Sequence, residues 1–404
     1  MTAPAAAVLL ANATVVDGDR VERRDLAFDG GRVVAAAATG TRRVDLGGHY
    51  IYPGLINAHD HLQLNCFRRL EHAEPFADSY EWIAAFEARM GDDPQITSTR
   101  AIAAEERFSH GAYKNLFSGV TTVAHHDPVP ASVDASLLPL TLAPAGWAHS
   151  LGLGSADRDG RTKYGPLVHE SFREAARSIP WIIHLAEGTS PRAGEELEQL
   201  RALGCLAANT VLVHGVGLSA ADVEHIIGAG ASVVWCPSSN LELFGRTLDP
   251  RTLIAAGRLA LGTDSRLTGS ADLLDELRVA QSCSSLTPRE LVQLVTCDAA
   301  RVLRLDDAGT LGIGARADCL VLREDGDPWE TLLRASRGDL RAVVRSGRFT
   351  CGDSDLASAF GLDDGAFREL RIDGMPKVID SRVYREAALA LEPGVELVTC
   401  GVAA

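Results

Sequence analysis

The chain has 404 residues, 46% of them hydrophobic, enough to bury a large core in one big domain with a smaller companion, and this excludes a disordered chain. Its 39 basic residues against 54 acidic ones give a formal charge of −15, which repels phosphate backbones and anionic bilayers and argues against nucleic acid or membrane as a partner. The apolar stretch from Ala5 to Leu10 has no basic residue before it and is far too short to span a bilayer, so a cytoplasmic location is expected.

From Val8 to Tyr52 the chain reads as short β runs, VLLANATVV, DLAFDGGRVVAAA and RRVDLGGHYIYPG, with Gly and Asp-Gly turns marking hairpins. After Gly54 brief β-rich runs alternate with longer helical segments, the pattern of parallel βα units. Strands are expected at LINAH, GVTTVAHH, LPLTLAP, PWIIHLAE, TVLVHG, SVVWCPSS and RLALGTD. Only about fifty residues separate Asp127 from Pro180, so WAHSLGL is read as a compressed eighth strand. Two helix starts are legible, a capping box at Thr287-Pro288-Arg289-Glu290 and a weaker one at Ser219-Ala220-Ala221-Asp222. After about Leu305 β character returns in GTLGIGARADCLVLRE and LRAVVRSGRFTCG. The expected architecture is therefore an α/β chain with a (β/α)8 barrel over 54–308. Segments 1–53 and 309–404, the latter including a C-terminal extension, would form one small β domain beside it.

Most barrel runs end in a polar residue able to bind metal or move protons, and in a parallel barrel those ends share one rim. His59 and His61 follow YPGLINA; two apart on a strand, they point the same way and can share a cation. His184 and Glu187 follow PWII, His214 follows TVLV, and Asp264 follows RLALGT. Each histidine alone would read as a hydrogen-bonded core residue, but polar residues ending successive strands are not independent accidents. The eight cysteines contain no C-x-x-C pair and mostly sit in apolar runs, which favours buried free thiols over a thiolate site.

The segments PGLINAHDH, GVTTVAHH, HLAEG, VHG, CPSSN and LGTDS, in this order, resemble the amidohydrolase superfamily. The likeness is to the branch containing guanine, cytosine and S-adenosylhomocysteine deaminases and triazine hydrolases. It covers nearly the whole chain, since AGTLGIGARADCLVL resembles the return into that family's small β domain. The resemblance implies that His59, His61, His184 and Asp264 hold one divalent metal, with zinc the first expectation and iron the second. It also implies that Asp264 accepts a proton from water, that His214 orients water or polarises substrate, and that Glu187 carries a proton to a substrate nitrogen. Relatives with two metals use a bridging lysine or glutamate near the middle of the barrel; Leu138 to Leu153 contains no Lys, Glu or Asp, which favours one metal.

His125 and His126 depart from the branch pattern and are assigned to substrate recognition, although alternation puts only one of them inside the barrel. Gln63 is placed against substrate, with Asn65, Arg68 and Arg69 in the same loop, and Trp82 is read as a packing or substrate-stacking residue on an amphipathic helix. Ser238, Ser239 and Asn240 of CPSSN would orient the rim. The expected reaction is hydrolytic deamination of a small nitrogen heterocycle. An amidase, cyclic amidase or halo-heterocycle hydrolase using the same site is the alternative, and a catalytically silent scaffold is disfavoured because no ligand is missing. Whether the chain forms a homo-oligomer stays open.

Overall fold

A computed structural model describes residues 6–152, 164–363 and 365–398. Leu153 and Cys400 lie outside these. Eight parallel strands form the barrel: β1 (Leu55–Asp60), β2 (Val120–His125), β3 (Thr141–Leu142), β4 (Gly146–Ser150), β5 (Trp181–Leu185), β6 (Thr210–His214), β7 (Ser232–Trp235) and β8 (Leu259–Leu261). They hydrogen-bond in chain order as β1-β2-β3 and β4-β5-β6-β7-β8. The run WAHSLGL supplies β4, and β3 shrinks to two residues of LPLTLAP, so the compressed region does hold two strands. At the seam between last and first strands, the His59 carbonyl accepts both the Thr263 and Asp264 N–H groups at 3.1 Å. Gly262 is required there, since a Cβ would stand 2.7 Å from that of His59.

Six of the strands, all but β3 and β4, are buried on both faces, as their near-continuous apolar runs require, with Ile182, Val211, Val213 and Val234 packed together inside the barrel. Both foreseen capping boxes form, at Ser219/Asp222 and Thr287/Glu290. The chain ends build a separate eleven-stranded β sheet, joined where His49–Pro53 runs antiparallel to Cys319–Arg323. Sequence reading left the C-terminal part as an extension, but it contributes Phe367–Ile372, Met375–Asp380 and Val395–Leu397 to this sheet. The cysteines among the described residues are free thiols, and no described helix is long and apolar enough to cross a membrane.

The C-terminal segment also returns to the barrel through Glu392, whose side chain is fully buried. Arg266 donates to both of its oxygens at 2.7 and 2.8 Å, His110 Nε2 stands 2.8 Å away, and Arg337 adds a second guanidinium. Against the cost of burial, His110 and Arg266 pull the Glu392 carboxyl down to about 2. Because the unfolded chain takes up this proton first, the contribution is complete above the ordinary value of 4.5 and is lost as pH falls from there towards 2. Glu392→Ala strands two guanidinium groups, and a loss of about 3–5 kcal/mol is expected at neutral pH, narrowing as pH drops through that window. Urea unfolding at pH 7 and pH 3 measures it; an equal loss at both would mean that packing, not charge, holds the segment.

Candidate active site

Alternation along β1 sets the geometry. His59 and His61 face the barrel mouth, while Asp60 between them points outward into the helix Ala104–Phe117. There the fully buried Asp60 accepts from Lys114 Nζ at 3.2 Å, Asn115 Nδ2 at 2.7 Å and Asn65 Nδ2 at 2.8 Å. Nothing in the sequence reading assigned Asp60 or Lys114. An acid between two histidines on a strand was the available signal. Gly111 lets this helix approach, since a Cβ would stand 2.2 Å from the Leu62 carbonyl oxygen.

Three imidazoles converge by their Nε2 atoms. His184 Nε2 lies 3.2 Å from His61 Nε2 and 3.3 Å from His59 Nε2. The opposite nitrogens settle two of the tautomers. His61 Nδ1 donates to Asp127 Oδ2 at 2.6 Å, and His184 Nδ1 donates to the His149 carbonyl at 2.9 Å. In the neutral rings, therefore, lone pairs face each other at 3.2 Å, an arrangement that repels unless a cation stands between them. Two nitrogens each 2.0–2.1 Å from a tetrahedral ion are about 3.3–3.4 Å apart, so the residues fit a zinc-like metal. Burial pushes His59 and His184 well below the ordinary histidine range, which keeps their lone pairs available. His61 goes the other way: burial opposes its charge, yet Asp127 raises it to about 9, so a proton and a metal compete for its Nε2.

Asp264 stands at the edge of this set, with Oδ1 3.8 Å from His61 Nε2. Its Oδ2 accepts from the Ser239 and Thr268 hydroxyls at 2.8 and 2.7 Å, and its Oδ1 accepts from the Ser265 N–H at 2.6 Å. Burial works against its charge, but His61, His214 and these hydroxyls keep it below the ordinary carboxylate range. Glu187 is buried as well and is pushed well above that range, by desolvation first and then by Asp264 and Glu196. His214 Nδ1 donates to Asn240 Oδ1 at 2.9 Å, leaving Nε2 3.5 Å from Glu187 Oε1. His214, Asp264 and Ala186 adopt positive φ of 76°, 53° and 52°, so the backbone is strained at or just after three strand ends, two of which turn His214 and Asp264 into the mouth.

A cavity of about 320 Å³ opens above these groups, lined by His61, Gln63, Asp127, His184, Glu187, His214 and Asp264. One wall comes from the helix Ser79–Arg89 and the residue after it, with Trp82, Phe86 and Met90, and the other from Trp147 and His149. Gln63 donates to Asp127 Oδ2 at 2.6 Å. The two histidines at the end of β2 go opposite ways: His125 lies edge-on to Phe108 and accepts from the Leu62 N–H at 3.3 Å, while His126 is buried among the mouth histidines. Arg69 is engaged with Glu242 at 2.8 Å, and Asn65 accepts from the Arg266 N–H, so neither is free to meet a ligand. Arg68 is exposed. Asp127, Trp147 and His149 were not assigned roles from sequence. The Asp127 contact spans two strands, and His149 falls in the strand hardest to place.

A parallel barrel whose mouth gathers imidazole lone pairs and two buried carboxyls defines a class, the metal-dependent barrel hydrolases. Comparison with known proteins narrows it. A family model of the amidohydrolase family matches residues 162–350. The 5-methylthioadenosine/S-adenosylhomocysteine deaminase of Halobacterium salinarum is 26% identical over an alignment covering 90% of this chain and 94% of that one. The 5'-deoxyadenosine deaminase of Methanothermobacter thermautotrophicus is 24% identical, covering 86% and 94%. Among solved structures, a zinc-bound adenosine deaminase from Xanthomonas campestris has the same fold, with a TM-score of 0.66 at 20% identity over 86% of this chain and 94% of that one. So does a variant of the atrazine chlorohydrolase from Arthrobacter aurescens, with a TM-score of 0.68 at 19% identity over 85% and 95%. Over residues 162–350 the chain thus matches the amidohydrolase family model, and along most of its length it resembles curated deaminases and shares the fold of zinc-bound deaminases and triazine hydrolases.

Proposed function

We propose that the chain is a mononuclear, zinc-dependent deaminase that releases ammonia from an aminated nitrogen heterocycle, with a purine nucleoside as the first substrate class to test. One observation carries the reading: two buried carboxyls at one mouth are driven apart, Asp264 towards the ionised form and Glu187 towards the neutral one. That division supplies a base and an acid at the same pH. The names of the relatives and a cavity walled by Trp82, Phe86 and Trp147, suited to a flat ring, support the substrate class.

His59, His61 and His184 would hold the metal with Asp264. Bound there, a divalent cation supplies the Lewis acidity that makes water available as hydroxide near neutral pH. Asp264 accepts the water's proton at a carboxylate oxygen. Glu187 delivers a proton to the ring nitrogen beside the carbon under attack, and the amino group leaves as ammonia once protonated. His214, with Nδ1–H committed to Asn240, presents Nε2 to hold water or substrate in line. Trp82, Phe86 and Met90 cover the ring and keep bulk water out.

The strand that carries a bridging lysine or glutamate in two-metal relatives is here Gly146–Ser150, with His149 at its end and no Lys, Glu or Asp. One metal per chain is expected by elemental analysis after full loading, and two per site would reject the mononuclear assignment. The metal-loaded protein should be screened against purines, purine nucleosides, pyrimidines, pterins and triazines with ammonia recorded, beside amide and halogenated-ring libraries. Turnover of the best compound without ammonia would assign it to the alternative chemistry.

A further inference from the structure

We infer that His126 is a fourth imidazole ligand of the resident metal, binding through Nδ1 and, together with Asp264, expanding the shell beyond four; the inference rests on the metal centre proposed above. His59, His61, His126 and His184 each offer a nitrogen, and these four nitrogens lie within 4.8 Å of one another. The His126 ring is fully buried, 4.3 Å from the centroid of His184, 5.2 Å from His59 and 5.6 Å from His61. Those spacings compare with 4.9–5.2 Å among the other three rings.

The hydrogen bonding selects the atom. His126 Nε2 lies 2.9 Å from the Ala148 carbonyl oxygen, which only accepts, so Nε2 carries the hydrogen and Nδ1 carries the lone pair. Nδ1 is buried and has no hydrogen-bond partner among the described residues. A buried acceptor without a donor forfeits the hydration it had in water, and a cation removes that cost. The Ala148 contact has the form of a support that orients a metal-binding histidine, like the Asp127 contact of His61 and the His149 carbonyl contact of His184. His125 provides the contrast, since it lies outside the four-nitrogen group and packs on Phe108.

Two substitutions separate a ligand from a structural group. Glutamine places an amide near Nε2 and keeps a donor for the Ala148 carbonyl, whereas asparagine places its amide near Nδ1 and loses that donor. Zinc affinity is read by chelator competition, coordination by the visible absorption of the cobalt-loaded protein, and fold by the thermal midpoint of the metal-free chain. The expected result for His126→Gln is a metal-free midpoint like wild type, zinc bound at least about 10-fold more weakly, and an altered cobalt band. His126→Asn should lose more midpoint and less zinc affinity than His126→Gln. Unchanged zinc affinity and cobalt spectrum in both variants would overturn the inference while leaving the three-histidine centre standing. A wild-type chain that takes up no zinc or cobalt would remove the metal centre and this inference with it.

Discussion

Glu187→Gln is expected to keep metal content and substrate binding while the single-turnover rate and ammonia release fall together, by about 10²- to 10⁴-fold. Attack on an aminated aromatic ring puts charge on a ring nitrogen, and a positioned acid must neutralise it as the tetrahedral centre forms. Burial, Asp264 and Glu196 all disfavour the charge of Glu187 and push its carboxyl well above the ordinary carboxylate range, towards the proton-carrying form. Glutamine keeps size and polarity but has no such proton. The sign of the pH effect follows: wild-type activity should hold as pH rises until Glu187 ionises and then fall, and that alkaline limb should vanish from the residual activity of the variant. An amide substrate makes less demand on the glutamate, since a metal can polarise the carbonyl oxygen directly. Unchanged turnover in the variant would reject the proton-carrying role.

Asp264→Asn should cost a similar factor for the opposite reason, because the carboxylate that accepts the water's proton is gone. The backbone should tolerate the change, as asparagine is among the residues that enter the left-handed region occupied here at φ 53°. Ser239 and Thr268 can still donate to the amide oxygen. Zinc occupancy must be measured on the same sample, since the side chain is also an expected ligand. Near-normal turnover with metal still bound would move the base to another group.

Much of the mouth was legible because a parallel barrel turns strand ends into a rim, so His59, His61, His184, Glu187, His214 and Asp264 could be found by reading where apolar runs stop. What supports them was not. Asp127 meets His61 from the neighbouring strand, and Glu392 reaches Arg266 across 126 positions; no local pattern announces either. The short β3 was hard to place because two residues carry no period. The last strands could have been found: FRELRI and MPKVID flank an Asp-Gly pair, and Asp373 and Gly374 both take positive φ, the hairpin turn that such a pair favours.

The seam where β8 meets β1 has a kinetic meaning. Both backbone contacts that close it end on the carbonyl of His59, and the residue that donates one of them is Asp264. A cation gripped by His59 and Asp264 would cross-link positions about two hundred residues apart, and closing so long a loop carries an entropic cost that no local helix or hairpin can offset. During synthesis from the N-terminus, His59 and His61 emerge early with nothing to complete them. The full pocket exists only after the eighth strand has left the ribosome and docked. Metal uptake would then act as a checkpoint on assembly, latching a ring that has already closed rather than templating one still being made.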